Sequence, residues 1–173
     1  MSKFYQISTA NFADKHGNFE LLSVADGLCI VQSNDELGEP FIKLDRLPQN
    51  LQDELNARLE NAKKSKIESI DYERDKAINA GVEYKGHIFQ SEENDRNLLT
   101  SAAVLYQAAG GVPENFVWIS KDNEQVPFTL ADIIALGAKM AQNESLSILK
   151  ARTLKDKVLA ATTLKEVEAI QWA

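Results

Sequence analysis

Apolar and polar positions change their period twice along the chain, and the changes mark out its parts. Residues 1–47 carry short apolar runs, Phe4–Ile7, Phe19–Val24, Leu28–Val31 and Phe41–Leu44, divided by Lys15-His-Gly-Asn18, Asp26-Gly27 and Ser33-Asn-Asp-Glu-Leu-Gly38. Runs of this length bounded by Gly, Asn and Asp predict strands and turns, with Asp26-Gly27 as the sharpest hairpin signal. Pro48 then stands where a helix begins. From Leu51 to Ala80 there is neither Gly nor Pro. Leu51, Leu55, Leu59, Ala62, Ile67, Ile70, Ala77 and Ile78 recur at helical spacing. The stripe is amphipathic but loses its heptad around Lys63-Lys64. A helix of this size spans about 45 Å and serves either as a connector or as one strand of a self-associating bundle. Its interleaved charges suit a solvated face.

Ala80-Gly81 closes that helix, and the pattern becomes alternating. With Lys85-Gly86 at the centre of a tight turn, Tyr84 stands opposite His87 and Val82 opposite Phe89, all on one face, with Ile88 on the other. Ser91 is the expected N-cap of a helix through Leu98, Leu99, Ala102, Ala103, Leu105 and Tyr106 that stops at Gly110-Gly111. A second hairpin joins Phe116–Ser120 to Gln125–Phe128 through Lys121-Asp-Asn-Glu124, and Pro127 marks an edge strand. Thr129 with Asp132 makes a capping box for a helix carrying Leu130, Ile133, Ile134, Gly137, Met140 and Ala141 on one face. That helix either continues or breaks near Asn143 before Leu146, Ile148, Leu149, Leu154, Val158 and Leu159. Thr163 with Glu166 caps a last short helix ending at Trp172. The predicted class is α+β: a small β module (1–47), a long amphipathic helix (48–80), and a hairpin/helix/hairpin/helix domain with an antiparallel sheet (81–173).

Composition adds few constraints. The 173 residues, 44% hydrophobic and 26% charged, suit a soluble globular protein able to bury a core without disulfides. A net charge of −7 argues against a surface that neutralises phosphates, so nucleic acid is not an expected partner. No apolar run reaches the ~20 residues of a membrane span, and the N-terminus lacks a signal-peptide core. The expected setting is a cytoplasm, unless the protein leaves inside a larger particle. The single cysteine, Cys29, sits in an apolar run and reads as a small buried hydrophobe.

The sequence nominates no catalytic, cofactor-binding or metal residue. The two histidines and the cysteine are far apart in sequence and cannot make an ordinary zinc site unaided. Asp122-Asn-Glu124 offers oxygen ligands without the spacing of a calcium loop, and reads as a hairpin loop. Gly110-Gly111 follows a helix and lacks the Lys of a phosphate loop. His87 reads as a half-buried cross-strand neighbour of Tyr84, and His16 as a loop residue. Tyr84, Phe89, Phe116, Trp118 and Phe128 read as core rather than as a stacking platform for bases. Arg96, beside Glu92, Glu93 and Asp95, is expected to pair within the molecule.

From about Tyr72 to Ala173 the chain resembles a domain family of unknown function found in tailed bacteriophages and prophages, often encoded with tail-fibre and tail-fibre assembly genes. The matching elements are Tyr72-Glu-Arg-Asp75 and then Gly81-Val-x-Tyr-x-Gly-x-x-Phe-Gln90, which includes Tyr84, Gly86 and Phe89. Next come Asn94-Asp-Arg96, Trp118, Asp122-Asn123-x-x-Val126, Thr129-Leu, Leu154-Lys and Ala160-Ala-Thr-Thr-Leu. Where members often show Ser-Arg, this chain has Asp95-Arg96, so no role of that serine carries over. The resemblance implies no active site and no cofactor.

It implies a non-enzymatic tail-associated protein, either a tail-tip or fibre component of the virion or a helper in fibre assembly. Other tail or fibre proteins would be its partners, with homo-oligomerisation through helix 51–80 as a further option. Residues 1–47 lie outside the match and are candidates for attachment to a particular partner. The alternatives are an acidic inhibitor of a host protein and an uncharacterised enzyme.

Overall fold

The computed structural model describes residues 3–173. It has the expected α+β composition, and the chain folds as two compact units, one ending at Glu60 and one running Asn61–Ala173.

The first unit is an antiparallel sheet of four strands, β1 (Lys3–Ser8), β2 (Phe19–Ala25), β3 (Leu28–Ser33) and β4 (Ile42–Leu44), in the order β2-β3-β1-β4. Alternation sets its buried face. Tyr5 pairs with Val31 and Ile7 with Cys29, and all four are buried. Phe19 and Phe41 meet at 5.4 Å between ring centroids, and Tyr5 approaches Phe41 edge-on. Asp26 and Gly27, both with positive φ, form the β2–β3 turn. One element was not expected. After β1 a short helix, α1 (Thr9–Phe12), is capped by the Ser8 hydroxyl, which accepts from Asn11 N. Four residues are too few for a periodic signal.

Helix α2 (Gln49–Asn79) starts one residue past Pro48 and ends before Gly81, whose φ is +104°. Within the second unit its Ile70 packs with Ala151, Leu154 and Val158 of α4 (Leu130–Ala160). Lysines close the ends of neighbouring elements. Lys63 Nζ donates to the Leu159 carbonyl and Lys66 Nζ to that of Ile170.

The second unit holds two separate ribbons. β5 (Val82–Tyr84) pairs with β6 (His87–Phe89) in the anticipated register, Val82 to Phe89 and Tyr84 to His87. β7 (Val117–Ile119) pairs with β8 (Gln125–Pro127). One backbone bond, Lys121 N to Ile88 O at 2.7 Å, ties the β7–β8 loop to β6. Val82, Phe89, Val126 and Phe128 from the ribbons pack on Leu99 and Ala102 of α3 (Glu93–Ala108) and on Ile133, Leu136 and Met140 of α4. Phe89 and Phe128 meet at 5.2 Å, and Trp118 and Tyr84 extend the aromatic cluster.

Three expectations need correction. Ser91 is not the N-cap of α3. Glu92 holds the extended cap backbone and its N–H donates to the Asp95 carboxylate, while the Ser91 side chain turns back to the end of α2. Of the two courses open to α4 the continuous one holds, with the Asn143 amide donating to the Ala77 carbonyl instead of competing for its own backbone. Its buried face is Ile133, Leu136, Met140, Ser147, Ala151, Leu154 and Val158, so Ile134 falls outside it. The last helix, α5 (Leu164–Ala169), ends before Trp172, although its Thr163/Glu166 capping box forms as expected.

Candidate functional site

The second unit holds a polar cleft of about 670 Å³ lined by the end of α2 (Arg74, Asp75, Ile78, Asn79), the start of α3 (Glu92, Glu93, Asn94, Arg96) and α4 (Glu144, Ile148). Both arginines are held from behind. Arg96 Nη1 donates to the Ser91 carbonyl at 2.6 Å, and its Nε lies 3.5 Å from Glu144. Arg96 therefore pairs within the molecule, across to α4. Arg74 donates to Asp75 and Asp71, and these carboxylates raise its pKa, Asp75 most. Asp71 also accepts from Lys155 at 2.5 Å, and that bond does most to hold its carboxyl below the usual range. With two arginines set against the carboxylates of Asp75, Glu92, Glu93 and Glu144, the lining is polar and net acidic.

Beneath the cleft, Ser91 closes α2. Its buried hydroxyl donates to the Ile78 carbonyl at 2.5 Å and accepts from Gly81 N at 3.1 Å. Gly81 has no room for a side chain, since a Cβ there would stand 2.7 Å from Ile88 Cγ2 and 3.0 Å from the Phe89 carbonyl oxygen. The β5–β6 turn is then anchored to the start of α4. Tyr84 OH donates to Asp132 Oδ1 at 2.9 Å, and Lys85 Nζ lies 3.1 Å from Oδ2. The same carboxylate accepts from Thr129 N and Oγ1, both at 2.7 Å. Burial alone would raise the Asp132 pKa. The donors from Thr129, Lys85 and Tyr84 outweigh it and push the group well below the usual range. The hydrogen bond to Asp132 in turn raises the Tyr84 pKa.

A third cluster lies where the ribbons meet. His87 Nδ1 is 3.0 Å from Glu124 Oε2, and Asp122 stands beside them. The buried Ser120 hydroxyl donates to Asp122 Oδ1 at 2.5 Å, the main cause of the lowered Asp122 pKa. Asn123, with φ of +71°, supplies the turn.

The residues singled out from sequence therefore divide by role. Gly81, Gly86 and Asn123 adopt positive φ, Phe89 and Trp118 pack in or against the core, and Tyr84 holds Asp132. Gln90 is exposed, Arg96 lines the cleft, and Asp122 sits in the His87 cluster. Reasoning from sequence missed Asp71, Lys155, Asp132 as an anchor, and Glu144. Their partners lie as many as 84 residues away, and nothing local signals them. The model of a domain of unknown function, DUF4376, matches residues 61–171. The chain belongs to the DUF4376 family. The DUF4376 region coincides closely with the second compact unit and contains the cleft, the Asp132 anchor and the His87 cluster. It begins about ten residues before Tyr72, and so takes in the α2 turns that carry Ile67 and Ile70. No curated protein and no solved structure matches the chain. Among the described residues of this DUF4376 protein, no helix is long and apolar enough to cross a membrane.

Proposed function

We propose that this protein is a tail-associated protein of a tailed bacteriophage, acting through protein–protein contacts as a tail-tip or fibre component or as a fibre-assembly helper. The observation that carries the interaction role is the apolar surface left on α3 and α4. Leu98, Val104 and Leu105 on α3 and Leu146, Leu149 and Leu159 on α4 are all exposed, Leu105 at 68% and Leu149 at 64%. Single exposed leucines are ordinary, but Leu98 and Leu105, two turns apart on α3, and Leu146 and Leu149, one turn apart on α4, share helix faces, which favours a protein partner. The phage setting rests on the sequence resemblance from Tyr72 onward. Division of the chain into two units supports an adaptor, with residues up to Glu60 available for a second partner.

The test is co-purification of the tagged full chain with the tail and fibre proteins encoded beside it. A stoichiometric complex that weakens at least tenfold with Leu105→Glu or Leu149→Glu is expected. Absence of any such complex would contradict the proposal.

A further inference from the structure

The geometry points to a divalent metal site formed by His87, Asp122 and Glu124, taking a first-row transition ion such as Zn²⁺. One donor atom from each residue lies within 4.8 Å of the other two. Metal–ligand bonds of ~2.0–2.1 Å require ligand atoms about 3.0–3.4 Å apart. The 3.0 Å between His87 Nδ1 and Glu124 Oε2 already meets that distance. A small rotation of the exposed Asp122 completes the set.

The ligands come from two ribbons but are held as one. Lys121 N donates to Ile88 O, while Ser120 N donates to Glu124 O and Asn123 N to Ser120 O. Ser120, itself buried, accepts from Glu124 N and donates to Asp122 Oδ1, a bond that leaves the second oxygen of that carboxylate outside it. A carboxylate oriented by a buried hydroxyl is the usual outer support of a metal ligand. Lys121, which lines the same depression, is engaged elsewhere, its Nζ donating to the Ala80 carbonyl at 2.9 Å. A depression of about 370 Å³ lined by Gly86, His87, Ile88, Lys121 and Asp122 gives access to the cluster.

The donor set decides the class of ion. Mg²⁺ and Ca²⁺ favour oxygen alone, whereas an imidazole with two carboxylates suits Zn²⁺ or Mn²⁺. Three protein ligands leave at least one position for water or for a side chain of a partner. Bound metal would clamp the β5–β6 ribbon to the β7–β8 loop.

The experiment is calorimetric titration of the untagged full chain with ZnCl₂, with Co²⁺ absorption as a second readout. One equivalent is expected to bind the native chain, and also His16→Ala, which removes the other histidine. His87→Ala and Glu124→Gln should each weaken binding at least tenfold, and Ser120→Ala by about 10–100-fold. Glu124 is largely exposed, so Glu124→Gln keeps the test decisive should His87→Ala fold poorly. No binding by the native chain, or undiminished binding by Glu124→Gln, would overturn the assignment, as would loss of binding in His16→Ala.

Discussion

Replacing Ser91 with alanine tests how α2 is closed within the DUF4376 region. The Ser91 hydroxyl, 1% exposed, serves the Ile78 carbonyl at 2.5 Å and Gly81 N at 3.1 Å. Ile78 lies in the last turn of α2, where carbonyls have no partner within the helix. Alanine fits the space but leaves both groups unpaired. An unsatisfied buried polar group costs roughly 1–3 kcal/mol. The Gly81 N–H is only partly buried, so water recovers some of its share. The sum is about 2–4 kcal/mol, whereas loss of an ordinary N-cap costs about 1 kcal/mol. The assay is urea unfolding followed by tryptophan fluorescence. Both tryptophans, Trp118 and Trp172, lie in the second unit, so the signal reports that unit. The midpoint should fall with an unchanged slope, and Tm by on the order of 10 °C. Ser101→Ala, exposed on α3, should stay within about 0.5 kcal/mol of the native chain. A cost below about 1 kcal/mol for Ser91→Ala would refute the double bridge.

Other perturbations separate the remaining forces. Gly81→Ala meets both positive φ and a blocked Cβ, whereas Gly86→Ala meets positive φ in open space. Chemical denaturation should show Gly86→Ala costing about 1 kcal/mol and Gly81→Ala clearly more. The folded-state Asp132 pKa is depressed, so its contribution is full above the ordinary value of 3.8 and is lost as pH falls below it. Asp132→Asn should flatten the acid limb of a stability–pH curve in that range, and an unchanged limb would show that Asp132 contributes nothing there. In the first unit, Glu36 is lowered from 4.5 to about 2, chiefly by the Tyr5 hydroxyl at 2.7 Å. Tyr5→Phe should move the Glu36 titration back toward 4.5 by carboxyl NMR, and no movement would assign the shift to Lys3 and Lys43 instead.

Much of the fold was legible because local chemistry and tertiary need agree. The Lys85-Gly86 turn, the Thr129/Asp132 and Thr163/Glu166 boxes and the Pro48–Gly81 bounds of α2 each arise from backbone requirements written within a few residues. Ser91 shows where this fails. A serine before Glu92-Glu93 reads as an N-cap, yet its hydroxyl is captured by a helix end 13 residues upstream. The buried face of α4 was misplaced for a related reason. Both Ile133 and Ile134 fit an apolar stripe, and only the position of α3 and the ribbons decides between them. From sequence His87 reads as a packing neighbour of Tyr84, which its register allows. Its meeting with Asp122 and Glu124 depends on how two ribbons dock, a non-local fact with no pattern in sequence.

Whether the protein is tail-associated is decided by quantitative mass spectrometry. The samples are phage particles and tail-protein complexes purified from cells expressing the chain from its own genomic setting. The chain is expected in one of them at a fixed ratio to a tail or fibre protein, with a reduced ratio for Leu105→Glu. Absence from both the particles and every tail-protein complex would contradict a tail-associated role.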